Sequence, residues 1–512
     1  MTGVSSRQSS AASDAQGEQS TRLSARDLIA IGPYIDGRAL ESESRTATPL
    51  FNPANGEKLA ETPDGSEADV AKAVASARLS FVRGGWASAA PSAKKSCMLR
   101  WADLITASAA RLDALDALEM GKPVSVRAFD AASAANFVRF NAEAIDKVQG
   151  EVMTSDPTST FIQKRMPRGV VAAIVPWNFP TYNVLLKVAP ALAAGNSVVL
   201  KPSELAAQSA LLLARLASEA GIPPGVLNVV AGRGEIVGKA LGEHMDVDMV
   251  TFTGSSDVGK LMLHYAGVSN MKVISAECGG KSPQIVFDDG VDLDAAADAI
   301  ASMITLNQGQ ICSVGSRVLV QKTIEERLVE KIVQRITRIV AGDPQQTATT
   351  YGPLVSKPQM AKVMAYITGA ASQGARLAHG GRRLLEETGG YFVEPTVFVN
   401  VAPTSRLAQE EIFGPVLSVL SFEDFNEAVR LANSTAYGLA AYVWTARLDT
   451  GFRIANAMPT GVTMINAHAT AGEGPGHAFS AEPAGLSGVG PEGGLAGLQS
   501  YTRRQAVWFN HG

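Results

Sequence analysis

The stretch VVAAIVPWNFPTYNVLLKVAPALAAGNSVVLKPSE, residues 170–204, decides the fold class of this chain. Two short apolar runs rich in β-branched residues flank an amphipathic helical segment. The same alternation continues through VLNVVAG (226–232), MVTFTGS (249–255) and KVISAE (272–277). Strands that alternate with helices in this way form parallel, doubly wound sheets, and ligands bind at the carboxyl ends of their strands. The sequence therefore predicts an α/β fold.

A second alternating series predicts a second α/β domain. Its strands are IVF, RVLVQ, VLSVLSF and AAYVWT, between residues 282 and 466. A strand pair and several helices precede the first series, and we expect the longest helix to run from Pro91 to Met120. The predicted units are a first domain at 25–150 and 167–278, a second at 279–480, and a small β element formed by a hairpin at 151–166 and residues 495–512.

The composition is that of an ordinary soluble globular protein. The 512 residues predict roughly three domains. Lys and Arg number 45 against 49 Asp and Glu, so no basic excess indicates nucleic acid. Three cysteines favour a reducing compartment, and the absence of an apolar span or signal peptide favours the cytoplasm and no membrane partner. Residues 1–24, rich in Ser, Ala and Gln without periodicity, are expected to form a disordered tail.

The turn TGSSDVGK, residues 253–260, follows a predicted strand and opens a helix. Gly254 and Gly259 allow close backbone approach, and amides at the start of the helix can hold a phosphate. The stretch nearly matches a P-loop, but Leu261 stands where that motif needs Ser or Thr for magnesium. A nucleotide site is therefore favoured over phosphoryl transfer, and a simple tight turn is the alternative.

Cys312 lies in NQGQICS, a Gly/Gln/Asn loop that follows a predicted helix. A thiolate in such a loop can attack an electrophilic carbon if a neighbouring group manages protons. Glu277, at the end of the strand KVISAE, is the candidate base, and a surface carboxylate is the alternative interpretation. Cys97, on the apolar side of a long helix, and Cys278 are expected to be packing residues.

Two further motifs stand at strand ends. The amide of Asn178 in PWNFP can donate to a developing oxyanion, although an aromatic strand cap is the simpler interpretation. Lys201 and Glu204 offer a cation and a carboxylate where the ribose of a nucleotide lies in a sheet of this type.

The chain resembles the aldehyde dehydrogenase superfamily over essentially all residues after the tail. The motifs that carry the resemblance occur in the family's order: PWNFP, KPSE, FTGSSDVG, AECGGKSP, NQGQICS, EEIFGPV (410–416) and NSTAYGLAAYVWT (433–445). The resemblance implies a Rossmann-type NAD-binding domain, a second α/β catalytic domain and a small β oligomerisation element. The chain is most similar to the NAD-dependent, non-phosphorylating, hydrolytic branch, and to enzymes acting on amino-aldehydes and semialdehydes.

The resemblance also implies roles for particular residues. Cys312 is the expected nucleophile, Glu277 the general base, and Asn178 one half of an oxyanion hole whose other half is the Cys312 amide. Lys187 and Glu492 match a proton relay, and no metal is expected. The expected cofactor contacts are Trp177, Lys201, Glu204, Gly234, Gly254, Ser255, Gly259, Glu411 and Phe413, and the expected substrate-lining residues are Tyr182, Ile311, Ser313 and Phe479.

The implied reaction is oxidation of an aldehyde to its carboxylic acid by NAD, through a thiohemiacetal and a thioester on Cys312. Members that use NADP or transfer the acyl group to coenzyme A remain alternatives, as does a nucleotide-binding protein without dehydrogenase activity. The expected partners are a small aldehyde and further copies of the chain, as a homodimer or homotetramer.

The sequence departs from the family near its C-terminus. Where PFGGxKxSG is usual, residues 481–488 read AEPAGLSG. The segments expected to line the substrate tunnel (179–186, 311–316 and 466–485) contain no Arg or Lys, but they include Glu473 and Glu482. Because a desolvated carboxylate needs a cation, the sequence favours neutral aldehydes and amino-aldehydes over anionic semialdehydes.

Overall fold

The computed structural model describes residues 22–29, 32–468 and 479–512. Its strands are β1 (Tyr34–Ile35), β2 (Arg38–Ala39), β3 (Ala47–Phe51), β4 (Lys58–Pro63), β5 (Glu151–Val152), β6 (Ser159–Pro167), β7 (Val170–Ile174), β8 (Ser197–Lys201), β9 (Leu227–Val229), β10 (Met249–Thr253), β11 (Val273–Glu277), β12 (Pro283–Val286), β13 (Arg317–Gln321), β14 (Arg376–His379), β15 (Thr396–Val399), β16 (Val416–Phe422), β17 (Tyr437–Gly438), β18 (Ala440–Trp444), β19 (Val462–Ile465), β20 (Ala484–Gly485), β21 (Gly488–Val489) and β22 (Thr502–Asn510).

The α-helices pack on the faces of the sheets or against one another. They are α1 (Glu67–Arg83), α2 (Pro91–Ala107), α3 (Ala109–Met120), α4 (Ala131–Ala144), α5 (Pro180–Ala193), α6 (Gln208–Glu219), α7 (Lys239–Glu243), α8 (Ser256–Gly267), α9 (Leu293–Thr305), α10 (Glu325–Ile336), α11 (Lys357–Gly369), α12 (Arg406–Gln409), α13 (Phe425–Ala432), α14 (Leu448–Ala457) and α15 (Gly494–Ser500). No helix in the described ranges is long and apolar enough to cross a membrane.

The first sheet has the strand order β2-β1-β9-β8-β7-β10-β11-β21. Its centre, β9 to β11, is parallel, whereas β1 and β21 pair antiparallel at its two sides. Every residue of β7 and β8 is buried, which explains why both strands are continuous apolar runs with little alternation. The carboxyl ends of β7, β8, β10 and β11 therefore meet at one edge.

The second sheet has the order β14-β15-β16-β13-β12-β18-β19 and is parallel except for β14. A third sheet joins β22, β6 and β5, with β6 and β22 paired from Ser159 with Asn510 to Pro167 with Thr502. The two parallel α/β units and the small β element predicted from the sequence are confirmed.

Several expected boundaries differ in the structure. The long helix breaks at Ser108, whose non-helical ψ of 7° separates α2 from α3. The ordered chain begins before residue 25, because Leu23 is buried and its backbone amide donates to the side chain of Gln345. Residues 1–21 lie outside the described ranges.

The C-terminal part of the chain also divides differently from the expected ranges. Helix α15 belongs with the first domain, because Leu498 and Tyr501 lie in its hydrophobic core. Strand β21, which none of the expected ranges included, joins the first sheet. Cys97 packs against the hydrophobic core of the first domain, as expected, but it is partly exposed, and its sulfur accepts a hydrogen bond from Arg100 at 3.0 Å.

Three buried carboxyl groups on α3 hold the first turns of three other helices. They lie three residues apart, so they share one face of α3. Each accepts hydrogen bonds from backbone amides that have no partner within their own helix. The pairs are Asp113 with Ala131 of α4 at 3.0 Å, Asp116 with Thr181 of α5 at 3.3 Å, and Glu119 with Gln208 of α6 at 3.1 Å.

Asp116 lies at the centre of this arrangement. Burial raises its pKa to about 7, although the hydroxyl of Ser209, which donates to the same carboxyl group, acts in the opposite direction. An unfolded chain ionises Asp at about pH 3.9. Between these two values the folded state holds a proton that the unfolded chain has lost, so stability decreases as the pH rises through this window.

Asp116→Asn is therefore expected to weaken the pH dependence of stability. The amide oxygen can still accept from the Thr181 backbone amide, the amide nitrogen can donate to the Ser209 hydroxyl oxygen, and the group carries no charge at any pH. The Tm of the wild type should fall more steeply than that of the variant between pH 5 and pH 8, measured by differential scanning calorimetry. Parallel Tm profiles would show that Asp116 does not titrate in this range.

Candidate active site

The predicted site residues of the first domain lie at the carboxyl edge of its sheet. Asn178 follows β7, Lys201 ends β8, Gly254 follows β10 and Glu277 ends β11. Because β8, β7, β10 and β11 are neighbours in the sheet, the fold brings these residues to one cleft. The sequence placed them only at the ends of separate strands.

The loop that carries Cys312 has an unusual backbone. After α9, Asn307, Gln308 and Gly309 all have positive φ angles, of 46°, 55° and 68°. A side chain on Gly309 is excluded, because a Cβ there would lie 2.3 Å from the carbonyl oxygen of Gly414. Two consecutive non-glycine residues in the left-handed region are strained, and such strain is typical of functional sites.

Asn178 connects this loop to the first sheet. Its side-chain Nδ2 donates to the backbone carbonyl oxygen of Gln310 at 3.0 Å. Its backbone carbonyl oxygen accepts from Asn307 Nδ2 at 2.8 Å. Asn178 is 5% exposed, so these hydrogen bonds are shielded from water. They hold the side-chain amide of Asn178 against Gln310, which stands two residues before Cys312 in the chain. The second N–H of this amide is left available for another acceptor.

Cys312 is half-buried, and its backbone packs against the chain that follows Glu277. A Cβ on Gly280 would lie 2.5 Å from the Cys312 carbonyl oxygen, so glycine is required at this contact. Burial raises the pKa of the Cys312 thiol, and the carboxylates of Glu411, Glu277 and Glu492 act in the same direction. The thiol therefore needs a proton acceptor or a nearby cation to ionise.

Glu277 is buried at the end of β11, where its backbone pairs with Gly488 of β21. Burial raises the pKa of its carboxyl group well above the ordinary value, Glu492 and Glu482 add to the effect, and Lys187 opposes it. Lys187 is fully buried and forms an ion pair with Glu492. The two residues predicted to relay protons are thus in contact and lie within the electrostatic field of Glu277.

The turn 253–260 is tightly packed on its inner side. Gly254 lies on the ring of Phe252, where a Cβ would come within 2.4 Å of Cζ, and Gly259 lies on the sulfur of Cys278, at 2.6 Å. Ser255 is exposed and caps α8, so the amides of the first turn of this helix face outward from a tightly packed base. Glycine is therefore needed on both sides of the turn.

Lys201 and Glu204 lie together after β8. Lys201 is buried, and its Nζ lies 2.9 Å from the carbonyl oxygen of Pro202 and 3.3 Å from Glu204 Oε2. Burial lowers the pKa of Lys201, while Glu204 acts against this. Gly234 is exposed and begins a single π-helical turn, where a Cβ would meet no atom within 4 Å.

The predicted cofactor contacts nearer to Cys312 are Glu411, Phe413 and Trp177. Glu411 Oε1 accepts from the amide of Gly280 at 3.1 Å, and burial raises the pKa of this carboxyl group. Phe413 has a φ of 58° and meets Trp177 edge to face, with ring centroids 5.4 Å apart. Glu411 is thereby held against the chain that follows Glu277, and Phe413 against the turn that follows β7.

Tyr182, an expected substrate-lining residue, belongs to an aromatic cluster. Tyr182 meets Phe129 edge to face at 5.0 Å, and Phe129 meets Phe179 at 4.7 Å. Ile311 is buried in the same hydrophobic cluster. The carbonyl oxygen of Ser313 accepts from the Tyr442 hydroxyl at 3.0 Å.

Phe479 and Glu482 are exposed, and Glu473 lies outside the described residues.

Sequence reasoning missed three residues of this site. Phe129, with a φ of 56°, belongs to a loop between α3 and α4 and carries no motif. Asn183 donates from Nδ2 to Asn178 Oδ1 at 3.1 Å. Ser487 joins Gly279 and Gly438 through its hydroxyl, at 2.8 and 3.0 Å. The positive φ of Phe129 is the kind of feature that marks a functional site, but a φ angle cannot be read from the sequence.

Comparisons with known proteins agree with this geometry. The aldehyde dehydrogenase family model matches residues 40–507. An aldehyde dehydrogenase of Enchytraeus buchholzi is 39% identical over 480 residues, covering 93% of this chain and 95% of that protein. Two crystal structures, each 44% identical, match with a TM-score of 0.92 and cover 95% of this chain and 98% of theirs. They are an indole-3-acetaldehyde dehydrogenase in complex with NAD+ and the gamma-glutamyl-gamma-aminobutyraldehyde dehydrogenase of Burkholderia cenocepacia J2315.

The family match spans most of the chain, and the relatives are matched over nearly their full length. The chain therefore belongs to the aldehyde dehydrogenase family, oxidoreductases that act on aldehydes, as the sequence motifs predicted.

Proposed function

We propose that this chain oxidises an aldehyde to the carboxylic acid with NAD, through a covalent intermediate on Cys312. One observation carries the proposal: the segments that hold Asn178, Cys312 and Glu277 are in contact. Asn178 is hydrogen-bonded to Gln310, two residues before Cys312, and Gly280, three residues after the buried Glu277, packs against the Cys312 carbonyl oxygen. A nucleophile, a proton acceptor and an oxyanion donor are the parts that acyl chemistry needs.

In the first step, the Cys312 thiol loses its proton to water and its sulfur forms a bond to the aldehyde carbon. The carbonyl π electrons move onto the oxygen, which becomes an oxyanion. The free N–H of Asn178 and the backbone amide of Cys312 donate to that oxygen. A nicotinamide held in this cleft would supply the acceptor for the hydride of the same carbon. Cys312 then carries a thioester.

Hydrolysis of the thioester is the task of Glu277. Its carboxylate takes a proton from water, the water oxygen bonds to the thioester carbon, and the Cys312 sulfur leaves. The proton passes from Glu277 toward Lys187 and Glu492, whose ion pair lies beside it. Glu277 also favours water over coenzyme A as the acyl acceptor, because it supplies the base that water requires.

The residues of the cleft fit NAD. The amides at the start of α8 suit the pyrophosphate, and Glu204, with 30% of its side chain exposed, suits the adenosine ribose hydroxyls. A 2′-phosphate would bring like charge beside this carboxylate, which favours NAD over NADP. The NAD+ complex of a 44% identical neighbour supports the same choice.

The third sheet suits contact with further copies of the chain. Val152, Trp508 and Phe509 are exposed on it, with Val152 at 76% and Trp508 at 67%. Large exposed apolar side chains that cluster on one element are typical of protein interfaces. We infer a homodimer or homotetramer in which this sheet contributes to the interface.

Cys312→Ala is expected to abolish aldehyde-dependent formation of NADH and to leave NAD binding intact. The substitution removes the only atom that can bond to the aldehyde carbon, while the cofactor contacts lie elsewhere in the cleft. Absorbance at the NADH wavelength measures turnover, and protein fluorescence measures binding. Cys97→Ala is the matched control and should retain activity. Full activity of Cys312→Ala would exclude the proposed nucleophile.

Glu277→Gln is expected to keep a burst of NADH but to lose about 10²- to 10⁴-fold in steady-state rate, the usual contribution of a general base. Hydride transfer precedes the water attack that Glu277 serves. Because burial raises the pKa of Glu277, the wild-type steady-state rate should rise with pH as this carboxyl group ionises. Rapid mixing at several pH values tests both points. Equal loss of burst and steady state would mean that Glu277 also ionises Cys312.

Neutral aromatic or aliphatic aldehydes and amino-aldehydes are expected to exceed succinate semialdehyde in kcat/KM by about 10-fold or more. The tunnel segments contain no Lys or Arg, and burying an unpaired carboxylate costs several kcal/mol. Phe129, Phe179 and Tyr182 instead provide an apolar wall.

Measuring kcat/KM for a panel of substrates at constant ionic strength tests this order. In the Glu482→Gln variant, the ratio of kcat/KM for amino-aldehydes to that for neutral aldehydes should decrease. A preference for the anionic semialdehyde would require a cation from outside these segments.

A further inference from the structure

The orientation of the Asn178 amide is fixed by two neighbours. On one side, Nδ2 lies 3.0 Å from the carbonyl oxygen of Gln310, and on the other, Oδ1 lies 3.1 Å from Nδ2 of Asn183. A carbonyl oxygen only accepts hydrogen bonds, so the nitrogen of Asn178 must face Gln310. The oxygen then faces Asn183, which must donate.

Asn183 is well placed to hold this orientation. It lies in the first turn of α5, where its backbone amide donates to Phe179 at 2.8 Å, and its side chain is 7% exposed. A buried hydrogen bond between two amides meets little competition from water. The rotation of Asn178 about its last side-chain bond is thereby restricted.

We propose that Asn183 is a positioning residue that aims the N–H of Asn178 at the developing oxyanion. Without the Asn183 donor, only the contact with Gln310 still fixes the Asn178 amide, so the amide turns over more often. Its oxygen would then face both the Gln310 carbonyl and the oxyanion, and each contact would be between two acceptors. This inference rests on the proposed function, in which Asn178 stabilises an oxyanion.

The test compares the rate of the NADH burst, which reports oxyanion formation and hydride transfer, in single and double variants. Asn178→Ala should slow the burst about 10²- to 10³-fold, the usual effect of removing one oxyanion donor. Asn183→Leu, which keeps the branched shape of the side chain without a donor, should slow it about 10- to 100-fold. Asn183→Asp should be slower still, because a carboxylate offers only acceptors to Asn178.

The double variant separates positioning from general damage. Once Asn178 is alanine, Asn183→Leu has no amide left to orient, so it should slow the burst no further than Asn178→Ala alone. Asn141→Leu is the matched control. Its amide, also buried, donates within its own helix to Phe137 at 3.0 Å, so its effect should multiply with that of Asn178→Ala.

The burst rate, the Tm and the Kd for NAD decide the outcome. The Tm and the Kd for NAD of Asn183→Leu should match the wild type, and Asn183→Ala replaces it if the larger side chain prevents folding. A wild-type burst in either variant, or equal slowing in the presence and absence of Asn178, would overturn the positioning role. If Asn178→Ala itself keeps the wild-type burst, or the wild type forms no NADH with any aldehyde, the proposed function fails instead.

Discussion

The hydrogen bonds between the turn after β7 and the loop after α9 are the interactions on which the site depends. Asn178 donates from its side chain to the Gln310 carbonyl oxygen, and Asn307 donates from its side chain to the Asn178 backbone carbonyl oxygen. These bonds join the turn that follows a strand of the first sheet to a loop of the second domain. They also stabilise a loop whose positive φ angles are costly in isolation. The position of Cys312 is therefore set by contacts between domains, and its own loop could not maintain that position alone.

Electrostatics impose a second constraint on the same place. Glu277, Glu411 and Glu492 all act to raise the pKa of the Cys312 thiol, and burial does the same. Lys187 is the buried cation beside them, and it is already paired with Glu492. The site therefore favours the neutral thiol until a proton is removed or a cation enters.

The sequence predicted the residues that follow strands, because a parallel sheet places strand ends together whatever the packing elsewhere. It did not predict Asn183, whose contact with Asn178 depends on the turn into α5 and matches no motif. The capping carboxyl groups of α3, such as Asp116, look like an ordinary helix face until three other helices are placed on it. The helix break at Ser108 escaped notice because serine is compatible with a continuous helix.

The C-terminal departure from the family pattern has a structural explanation. Among the described residues, the hydrogen bonds of 481–486 come from backbone atoms, so the pairing with 436–438 and with Glu492 does not depend on the side chains at 481, 482, 484 and 486. Gly485, with a φ of 58°, leaves no room for a Cβ, which would lie 2.4 Å from the Ala436 carbonyl oxygen. Ser487 and Gly488 are different. The Ser487 hydroxyl donates to the Gly279 carbonyl oxygen, and Gly488, with a φ of 129°, leaves no room for a Cβ against Ala276. Both residues hold the strand that ends at Glu277. The chain therefore retains the family's Ser-Gly pair at the two positions where that strand requires a hydroxyl group and a residue without a side chain.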